Sequence, residues 1–212
     1  RALGVLVHDH YGQTEAGMLV NNHHHPLVRG ALKPGSMGRE MPGWKAVILA
    51  DGRDEEIGPG RMGRLAIRLA DSPLAWFDGY HGDVAKSAEK FSADEGYYLT
   101  GDTAMMDHEG YFTFSARDDD VIIMAGYRIG PFEVESTLAT HPAVVETAVI
   151  AVPDEVRGEV MEAFVVPGED HSPSDELAVE LQQWVKQRFA AHAFPRAIHF
   201  IKVMPKTPSG KI

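Results

Sequence analysis

The sequence predicts an α+β fold in two parts, and three observations support that prediction. Short strand patterns separated by glycine and proline turns fill residues 30–115, which is typical of a β-rich subdomain. Strand and amphipathic helix patterns follow from residue 121 onward. Successive aspartates at 118–120 separate these two compositions. We therefore expect one domain over residues 1–118 and a second over residues 119–212.

The composition limits the functions that the chain can have. Of its 212 residues, 44% are hydrophobic and 24% are charged, which is ordinary globular usage. The formal net charge of -11 argues against general binding to nucleic acids or anionic membranes. The chain has no cysteine and no apolar run long enough for a transmembrane segment, which suits a cytoplasmic protein. A phosphate ligand would therefore need a local cluster of cations and backbone amides.

The first part reads as strands joined by turns, with one short helix. Asp83 is placed to cap that helix, which we expect to run to Lys90. A polar turn is expected over residues 10–15. The predicted strands lie at residues 3–8, 44–50, 64–69, 97–102 and 111–114, and the fourth is expected to end in the glycine turn that carries Asp102.

Two patterns in this part suggest sites but have simpler interpretations. Residues 58–63 match G-x-G-x-x-G, the dinucleotide-binding pattern, which requires a strand before it and a helix after it. A strand pattern follows here, so we interpret the match as a hairpin connection. Adjacent histidines at 23–25 lack further ligands at metal-binding spacing, and we interpret them as incidental.

The second part has a more regular pattern of strands and helices. Pro131 suits the first position of a helix that runs to about Thr140. Ser174 begins an amphipathic helix that continues through Ala190. A turn is expected over residues 126–130. The predicted strands lie at residues 121–124, 144–152, 160–166 and 198–203.

Five polar motifs occur in order along the chain, although each one alone would be an ordinary turn or surface feature. They are Tyr11-Gly12-Gln13-Thr14-Glu15, Thr100-Gly101-Asp102, Ala116-Arg117-Asp118-Asp119-Asp120, Gly126-Tyr127-Arg128-Ile129 with Glu133 and Glu135, and Pro205-Lys206-Thr207-Pro208-Ser209-Gly210-Lys211. The series resembles the adenylate-forming superfamily of acyl-CoA synthetases, nonribosomal-peptide adenylation domains and beetle luciferases. Residues 127–135, 141–146 and 156–160 look most like the medium-chain acyl-CoA synthetase branch. The resemblance implies a β-rich subdomain of a large nucleotide-binding domain, followed by a small mobile C-terminal domain.

The resemblance also implies a nucleotide site. Glu15 matches an acid that helps to hold Mg²⁺, which proteins commonly bind through a carboxylate together with substrate phosphates. Asp102 matches the acid that binds the ribose hydroxyls, and Lys211 matches the catalytic lysine of adenylation. The residues expected to contact ATP or AMP are Asp9, His10, Tyr11, Gly12, Gln13, Thr14, Asp102, Arg117, Arg128 and Lys211.

The implied reaction has two steps, separated by a rotation of the small domain. A carboxylate attacks ATP to give acyl-AMP and pyrophosphate, and the thiol of CoA then displaces AMP. Asp119 matches the hinge residue of this rotation, which withdraws Lys211 and brings a glycine-containing loop to the acyl-AMP. The residues expected to contact CoA are Ala125, Gly126, Tyr127, Arg157 and Lys186.

Three functions remain open at this stage. The first is an AMP-forming acyl-CoA synthetase that uses a carboxylic acid, ATP, CoA and Mg²⁺. The second is an adenylation domain that loads a carrier protein, although Arg157 and Lys186 favour free CoA. The third is a non-catalytic nucleotide- or CoA-binding fragment. The sequence lacks the family's phosphate loop, and it opens with Arg1 instead of Met, directly before the strand predicted at residues 3–8. We therefore expect a piece of a longer enzyme that is inactive alone.

Overall fold

The structure is a computed structural model of the chain, described over residues 6–124 and 127–208. The chain divides into two compact units, Arg1–Asp118 and Asp119–Ile212, and each is described by itself. Each unit combines antiparallel sheet with helix, so the fold class is α+β. No helix within the described ranges is long and apolar enough to cross a membrane.

Within residues 6–118, the first unit contains two antiparallel sheets, one short α-helix and a single 3-10 turn at Leu69–Asp71. The strands of the three-stranded sheet are, in order, β1 (His10–Gln13), β2 (Gly17–Asn21) and β3 (Arg39–Glu40). The strands of the four-stranded sheet are, in order, β4 (Ala46–Leu49), β5 (Met62–Arg68), β6 (Tyr97–Met106) and β7 (Phe112–Arg117). Helix α1 (Val84–Ala88) has Asp83 as its N-cap, whose side chain accepts a hydrogen bond from the Lys86 amide, as predicted.

One hydrophobic cluster joins the two sheets of this unit. Leu19 of β2 is fully buried and belongs to the same cluster as Leu65 and Ile67 of β5 and Phe112 of β7. Burying side chains of this size stabilises a fold by about 1.5–3 kcal/mol each. The cluster therefore fixes β1 and β2 beside β6, which places the polar residues of β1 next to those of β6.

The second unit is a five-stranded sheet packed against two helices. Its strands are β8 (Ile122–Met124), β9 (Tyr127–Ile129), β10 (Val144–Asp154), β11 (Gly158–Pro167) and β12 (Ala197–Phe200). The sheet order is β10-β11-β8-β9, and β12 pairs in parallel with β11. The helices are α2 (Pro131–Leu138) and α3 (Asp175–Arg188), whose buried side chains enter one core with those of the sheet.

Helix α3 follows the pattern that the sequence predicts. Leu177, Leu181 and Val185 recur every four positions and are buried against the sheet. The Ser174 hydroxyl accepts a hydrogen bond from the Leu177 amide at 3.2 Å, so it satisfies an otherwise unpaired donor of the first turn. Acidic residues in the first turn and basic residues in the last turn complement the helix dipole.

Several element predictions were wrong. Residues 6–8 are not a strand, and residues 3–5 lie outside the described part of the chain. Residues 10–13 form β1 instead of a turn, because they pair with β2. β6 does not end at Gly101 but continues to Met106; the glycine, at φ 81°, allows a local irregularity without ending the ladder. Residues 127–129 form β9 instead of part of a turn.

The glycine-rich segment at residues 58–63 is the hairpin connection that the sequence predicts. It leads directly into β5, and no helix follows it. Gly60 has φ 77°, in the left-handed region that favours glycine. A Cβ at Gly63 would lie 2.2 Å from the Leu49 carbonyl oxygen, so this glycine permits close strand approach. The G-x-G-x-x-G match therefore reflects turn and strand geometry.

Candidate functional site

The first unit brings together side chains from three of the sequence motifs. Asp102 on β6 is only 7% exposed and pairs with Arg117 across the ladder between β6 and β7. The Tyr11 hydroxyl donates a hydrogen bond to Asp102 Oδ2. The Gln13 amide donates to the same oxygen at 2.9 Å and to the Thr100 carbonyl at 2.8 Å. Asp102 is thus a buried carboxylate held by donors from a distant strand.

The orientation of Gln13 is itself fixed by a hydrogen bond. The Tyr98 hydroxyl donates to Gln13 Oε1 at 2.8 Å, so the amide nitrogen of Gln13 points toward Asp102. Tyr98 is 3% exposed and belongs to the hydrophobic cluster of this unit. Tyr11 and Gln13 are two positions apart on β1, and alternate residues of a strand share one face. The strand geometry therefore directs both donors to one carboxylate.

Burial and hydrogen bonding have opposite effects on the pKa of Asp102. Burial raises the pKa of Asp102, while the hydrogen bond from Tyr11 and the nearby charge of Arg117 lower it in part. Burial, together with the Asp102 charge, raises the pKa of Tyr11, so its hydroxyl stays a donor. Because both donors bind Oδ2, the second oxygen of Asp102 is the one suited to accept hydrogen bonds from a ligand.

Glu15 lies after β1 and is held by Tyr80. The Tyr80 hydroxyl donates to Glu15 Oε1 at 2.6 Å, and this bond lowers the pKa of Glu15. The same bond raises the pKa of Tyr80 to about 12. Across the described ranges, no group of three or more His, Asp or Glu side chains could hold a metal ion by itself. One anionic carboxylate fits Mg²⁺ that is bound mainly by substrate phosphates.

A cavity of about 280 Å³ lies beside Asp102. Gly101 and Asp102 of β6 line one side, and Lys86 and Lys90 from the α1 region line another. The Lys90 ammonium lies 3.5 Å from the Thr100 carbonyl, which is also the acceptor for Gln13. The cavity therefore combines a buried carboxylate with cationic side chains.

The other predicted residues of the first motif lie at the surface around β1. Asp9, His10, Gly12 and Thr14 are all exposed. The Asp9 carbonyl accepts hydrogen bonds from the backbone and side-chain amides of Asn22, at 3.2 and 3.0 Å. A Cβ at Gly12 would lie 2.3 Å from the Gly17 carbonyl oxygen, so only glycine fits there without a shift. The backbone of this segment is thus fixed while its surface is accessible.

The second unit holds the remaining predicted residues that the structure describes. Arg128 on β9 is partly buried, and the exposed Tyr127 ring lies 4.2 Å from the ring of His192. Arg157 is exposed in the turn between β10 and β11, where its amide donates to Asp154 Oδ1 at 2.7 Å. Asp119 lies in the exposed turn of residues 118–120. The predictions for Lys211, Ala125 and Gly126 concern residues outside the described part.

Sequence reasoning did not identify two residues of the second unit, the aromatic Phe194 and the basic Arg196. The Lys186 ammonium lies 4.0 Å from the centre of the Phe194 ring, and the Arg196 guanidinium also lies 4.0 Å from it. The charges of Arg157 and Arg196 both help to lower the pKa of Asp154, after the hydrogen bonds from its backbone donors. Lys186 and Arg196 therefore share the Phe194 ring, and Arg196 and Arg157 both act on Asp154. The Phe194-Pro195-Arg196 sequence was the available signal, but nothing in the sequence connected it with Lys186 on α3.

Residues 133–211 match the family model of the AMP-binding enzyme C-terminal domain. The chain is similar to acyl-CoA synthetases over almost its whole length. This finding agrees with the resemblance that the ordered motifs indicate.

Individual relatives give the same result over almost the whole chain. The chain is 44% identical to human "Acyl-coenzyme A synthetase ACSM4, mitochondrial", over 99% of this chain and 35% of the relative. It is 46% identical to "Acetyl-coenzyme A synthetase" of Bacillus subtilis, over 97% of this chain and 35% of the relative. The crystal structure of ATP-bound MatB from Rhodopseudomonas palustris superimposes with a TM-score of 0.85 at 28% identity, over 99% of this chain and 39% of that one. The chain thus spans about a third of the length of the curated relatives it matches.

Proposed function

We propose that the chain is the part of an AMP-forming acyl-CoA synthetase that binds the ribose of ATP and the nucleotide of CoA. The observation that carries this proposal is the convergence of Tyr11 and Gln13 on the buried carboxylate of Asp102, near the charge of Arg117. Burial raises the pKa of Asp102 and destabilises its charged form. A role in ligand binding would explain why an acid occupies this position. Vicinal hydroxyls of a ribose are matched donors for it.

In the first half-reaction, an acid attacks the α-phosphorus of ATP and releases pyrophosphate. Asp102 holds the ribose, with its own orientation set by Tyr11 and Gln13. Bound Mg²⁺ would neutralise phosphate charge, with Glu15 as its protein ligand. Lys211 and Arg128 supply positive charge where negative charge develops on the transferring group. The protein positions and neutralises, and it forms no covalent bond to the substrate.

In the second half-reaction, the thiol of CoA attacks the acyl carbonyl and AMP leaves. Lys186 and Arg196, which lie over the Phe194 ring, and Arg157, which with Arg196 acts on Asp154, are suited to the phosphates of CoA in an otherwise acidic protein. The exposed Tyr127 follows residues 125–126, for which we propose a role along the path of the pantetheine arm. Rotation about Asp119 would exchange Lys211 for this segment between the two half-reactions.

The proposal is tested by separating the half-reactions in the full-length protein that carries this chain. Lys211→Ala should abolish acyl-AMP formation from acid and ATP, while thioester formation from supplied acyl-AMP and CoA persists. Lys202→Met, on the exposed part of the preceding loop, is the matched control and should leave both steps unchanged. Equal loss of both half-reactions in Lys211→Ala would contradict the assignment.

The same assay tests the carrier-protein alternative. An acyl-CoA synthetase releases AMP from acyl-AMP in proportion to added CoA. An adenylation domain that loads a carrier protein would keep its acyl-AMP in the presence of CoA. Absence of CoA-dependent AMP release would therefore overturn the CoA assignment while leaving the nucleotide site intact.

A further inference from the structure

The short segment that follows α1 runs beside β6 of the first unit. The Lys90 carbonyl accepts a hydrogen bond from the Leu99 amide at 2.8 Å, and Phe91 forms an antiparallel bridge with Tyr98. The rings of Phe91 and Tyr98 also meet edge to face, with their centres 6.2 Å apart. The backbone of Lys90 is therefore held against β6 at Leu99, three positions before Asp102.

The side chain of Lys90 extends along β6 toward Asp102. Its ammonium lies 3.5 Å from the Thr100 carbonyl, the same oxygen that accepts a hydrogen bond from the Gln13 amide. A Cβ added to Gly101 would lie 3.8 Å from the Lys90 nitrogen, so the ammonium is close to the backbone next to Asp102. Lys90 is partly buried and lines the same cavity as Asp102. A fixed backbone thus places a partly buried cation beside a buried acid.

Several elements bring titratable or charged groups to Asp102. Burial raises the pKa of Asp102, and the hydrogen bonds from Tyr11 and Gln13 and the charges of Arg117 and Lys90 lower it. Lys90 therefore joins Arg117 in favouring the ionised acid, although it belongs to none of the five sequence motifs. The other titratable or charged groups near Asp102 are Tyr98, which precedes it on β6, and the cavity residues Arg64, Lys86, Glu89 and Asp118.

We propose that Lys90 is a positioning residue that supplies positive charge to the Asp102 carboxylate while this carboxylate binds the ribose of ATP. Lys90 acts through Asp102 and does not contact the substrate. The inference rests on the proposed function, in which Asp102 accepts hydrogen bonds from the ribose hydroxyls. An ionised carboxylate is an acceptor at both oxygens, whereas a protonated one carries a donor at one of them. A nearby cation therefore extends ribose binding toward lower pH.

The experiment measures how strongly the full-length protein prefers ATP over its 2′-deoxy and 3′-deoxy analogues as pH is varied. The preference is the ratio of the kcat/KM values for acyl-AMP formation. Because the three nucleotides carry the same triphosphate, this ratio cancels the ionisation of the phosphates and the binding of their metal ion. In the intact protein, the preference should decline in acid as Asp102 becomes protonated.

Lys90→Met should alter this pH dependence in a particular way. Where the preference declines, it should be roughly two- to fivefold lower in the variant than in the parent, and the two should agree at higher pH. Loss of the cation raises the pKa of Asp102, so the decline begins at a higher pH. Lys90→Arg keeps the charge and should recover most of the preference. The control is Lys45→Met, which removes a lysine that pairs with Glu40 at 3.2 Å and should behave like the parent.

Three results would overturn the inference. They are a parental pH dependence in Lys90→Met, a preference lowered equally at every pH, and a Lys90→Arg variant as impaired as Lys90→Met. The second result would show that Lys90 only supports the local structure. If Asp102→Ala loses the preference for ATP while Lys90→Met behaves like the parent, the proposed function stands and only this inference fails. If Asp102→Ala prefers ATP as strongly as the intact protein does, both fail.

Discussion

Tyr11 and Asp102 are 91 positions apart in the sequence, and the hydroxyl of the first donates a hydrogen bond to the carboxylate of the second. The contact joins β1 of one sheet to β6 of the other. It connects two of the ordered motifs within the first unit, and it fixes one oxygen of a buried acid. The proposal that Asp102 binds a nucleotide depends on this hydrogen bond.

Removing the Tyr11 hydroxyl should weaken ATP binding. Tyr11→Phe deletes a donor that lowers the pKa of Asp102, so the acid becomes less well ionised and less well oriented. Hydrogen bonds to charged groups contribute about 1.5–3 kcal/mol, so KM for ATP should rise by roughly tenfold or more. Tyr97→Phe is the control, since Tyr97 bonds to Glu56 away from Asp102. An unchanged KM for ATP in Tyr11→Phe would count against the account.

Replacing Asp102 with asparagine should make the fold more stable, although it weakens the binding of ATP. Burial raises the folded-state pKa of Asp102, so its stabilising contribution is present in acid and lost as pH rises through that pKa. The neutral amide avoids this loss, and its oxygen can still accept from Tyr11 and Gln13. Thermal unfolding of the 212-residue chain should therefore show a higher melting temperature for Asp102→Asn near pH 7, with the difference shrinking toward about pH 4. A lower melting temperature near neutral pH would contradict this.

The hydrogen bond between Tyr80 and Glu15 should contribute to stability in the opposite pH range. The bond lowers the pKa of Glu15, so its contribution is present above the unfolded-state pKa and disappears as pH falls through the folded-state value. Tyr80→Phe should then lower the melting temperature at neutral pH and have less effect in acid. Equal destabilisation at both pH values would show that packing of the ring, not the hydroxyl, is responsible.

Arg157 and Arg196, which both act on Asp154, should determine the affinity for CoA. Arg157→Ala and Arg196→Ala should each raise KM for CoA several-fold, because charge-assisted hydrogen bonds to phosphate are about twice as strong as neutral ones. KM for ATP in acyl-AMP formation should not change. Arg188→Ala is the matched control, since Arg188 stacks on Trp184 instead of Phe194. If Arg196→Ala leaves KM for CoA unchanged, Arg196 does not belong to the site.

Local sequence patterns predicted much of the fold. Ser174 and Asp83 were recognised as helix caps because capping depends on neighbours within three or four residues. β1 was missed because a Tyr-Gly-Gln sequence is typical of a turn, and only pairing with β2 makes it a strand. β9 was missed for the same reason, since its partner is β8.

At the candidate site, too, local motifs identified some residues, but contacts between residues far apart in the sequence could not be predicted. The motifs pointed to Asp102 and Gln13, but no pattern could show that Tyr98 orients the Gln13 amide from 85 positions away. The contact of Arg196 with Phe194, and of Phe194 with Lys186, depends on how the segment after α3 folds back. Such contacts are set by packing, which a single sequence does not display.

The central claim, that Asp102 binds the ribose of ATP, is tested most directly by comparing ATP with its 2′-deoxy and 3′-deoxy analogues. The quantity to measure is kcat/KM for acyl-AMP formation by the full-length protein, with Asp102 intact and with Asp102→Ala. We expect the intact protein to prefer ATP by roughly tenfold or more over at least one analogue, and the variant to lose that preference. If Asp102→Ala prefers ATP as strongly as the intact protein does, Asp102 does not bind the ribose.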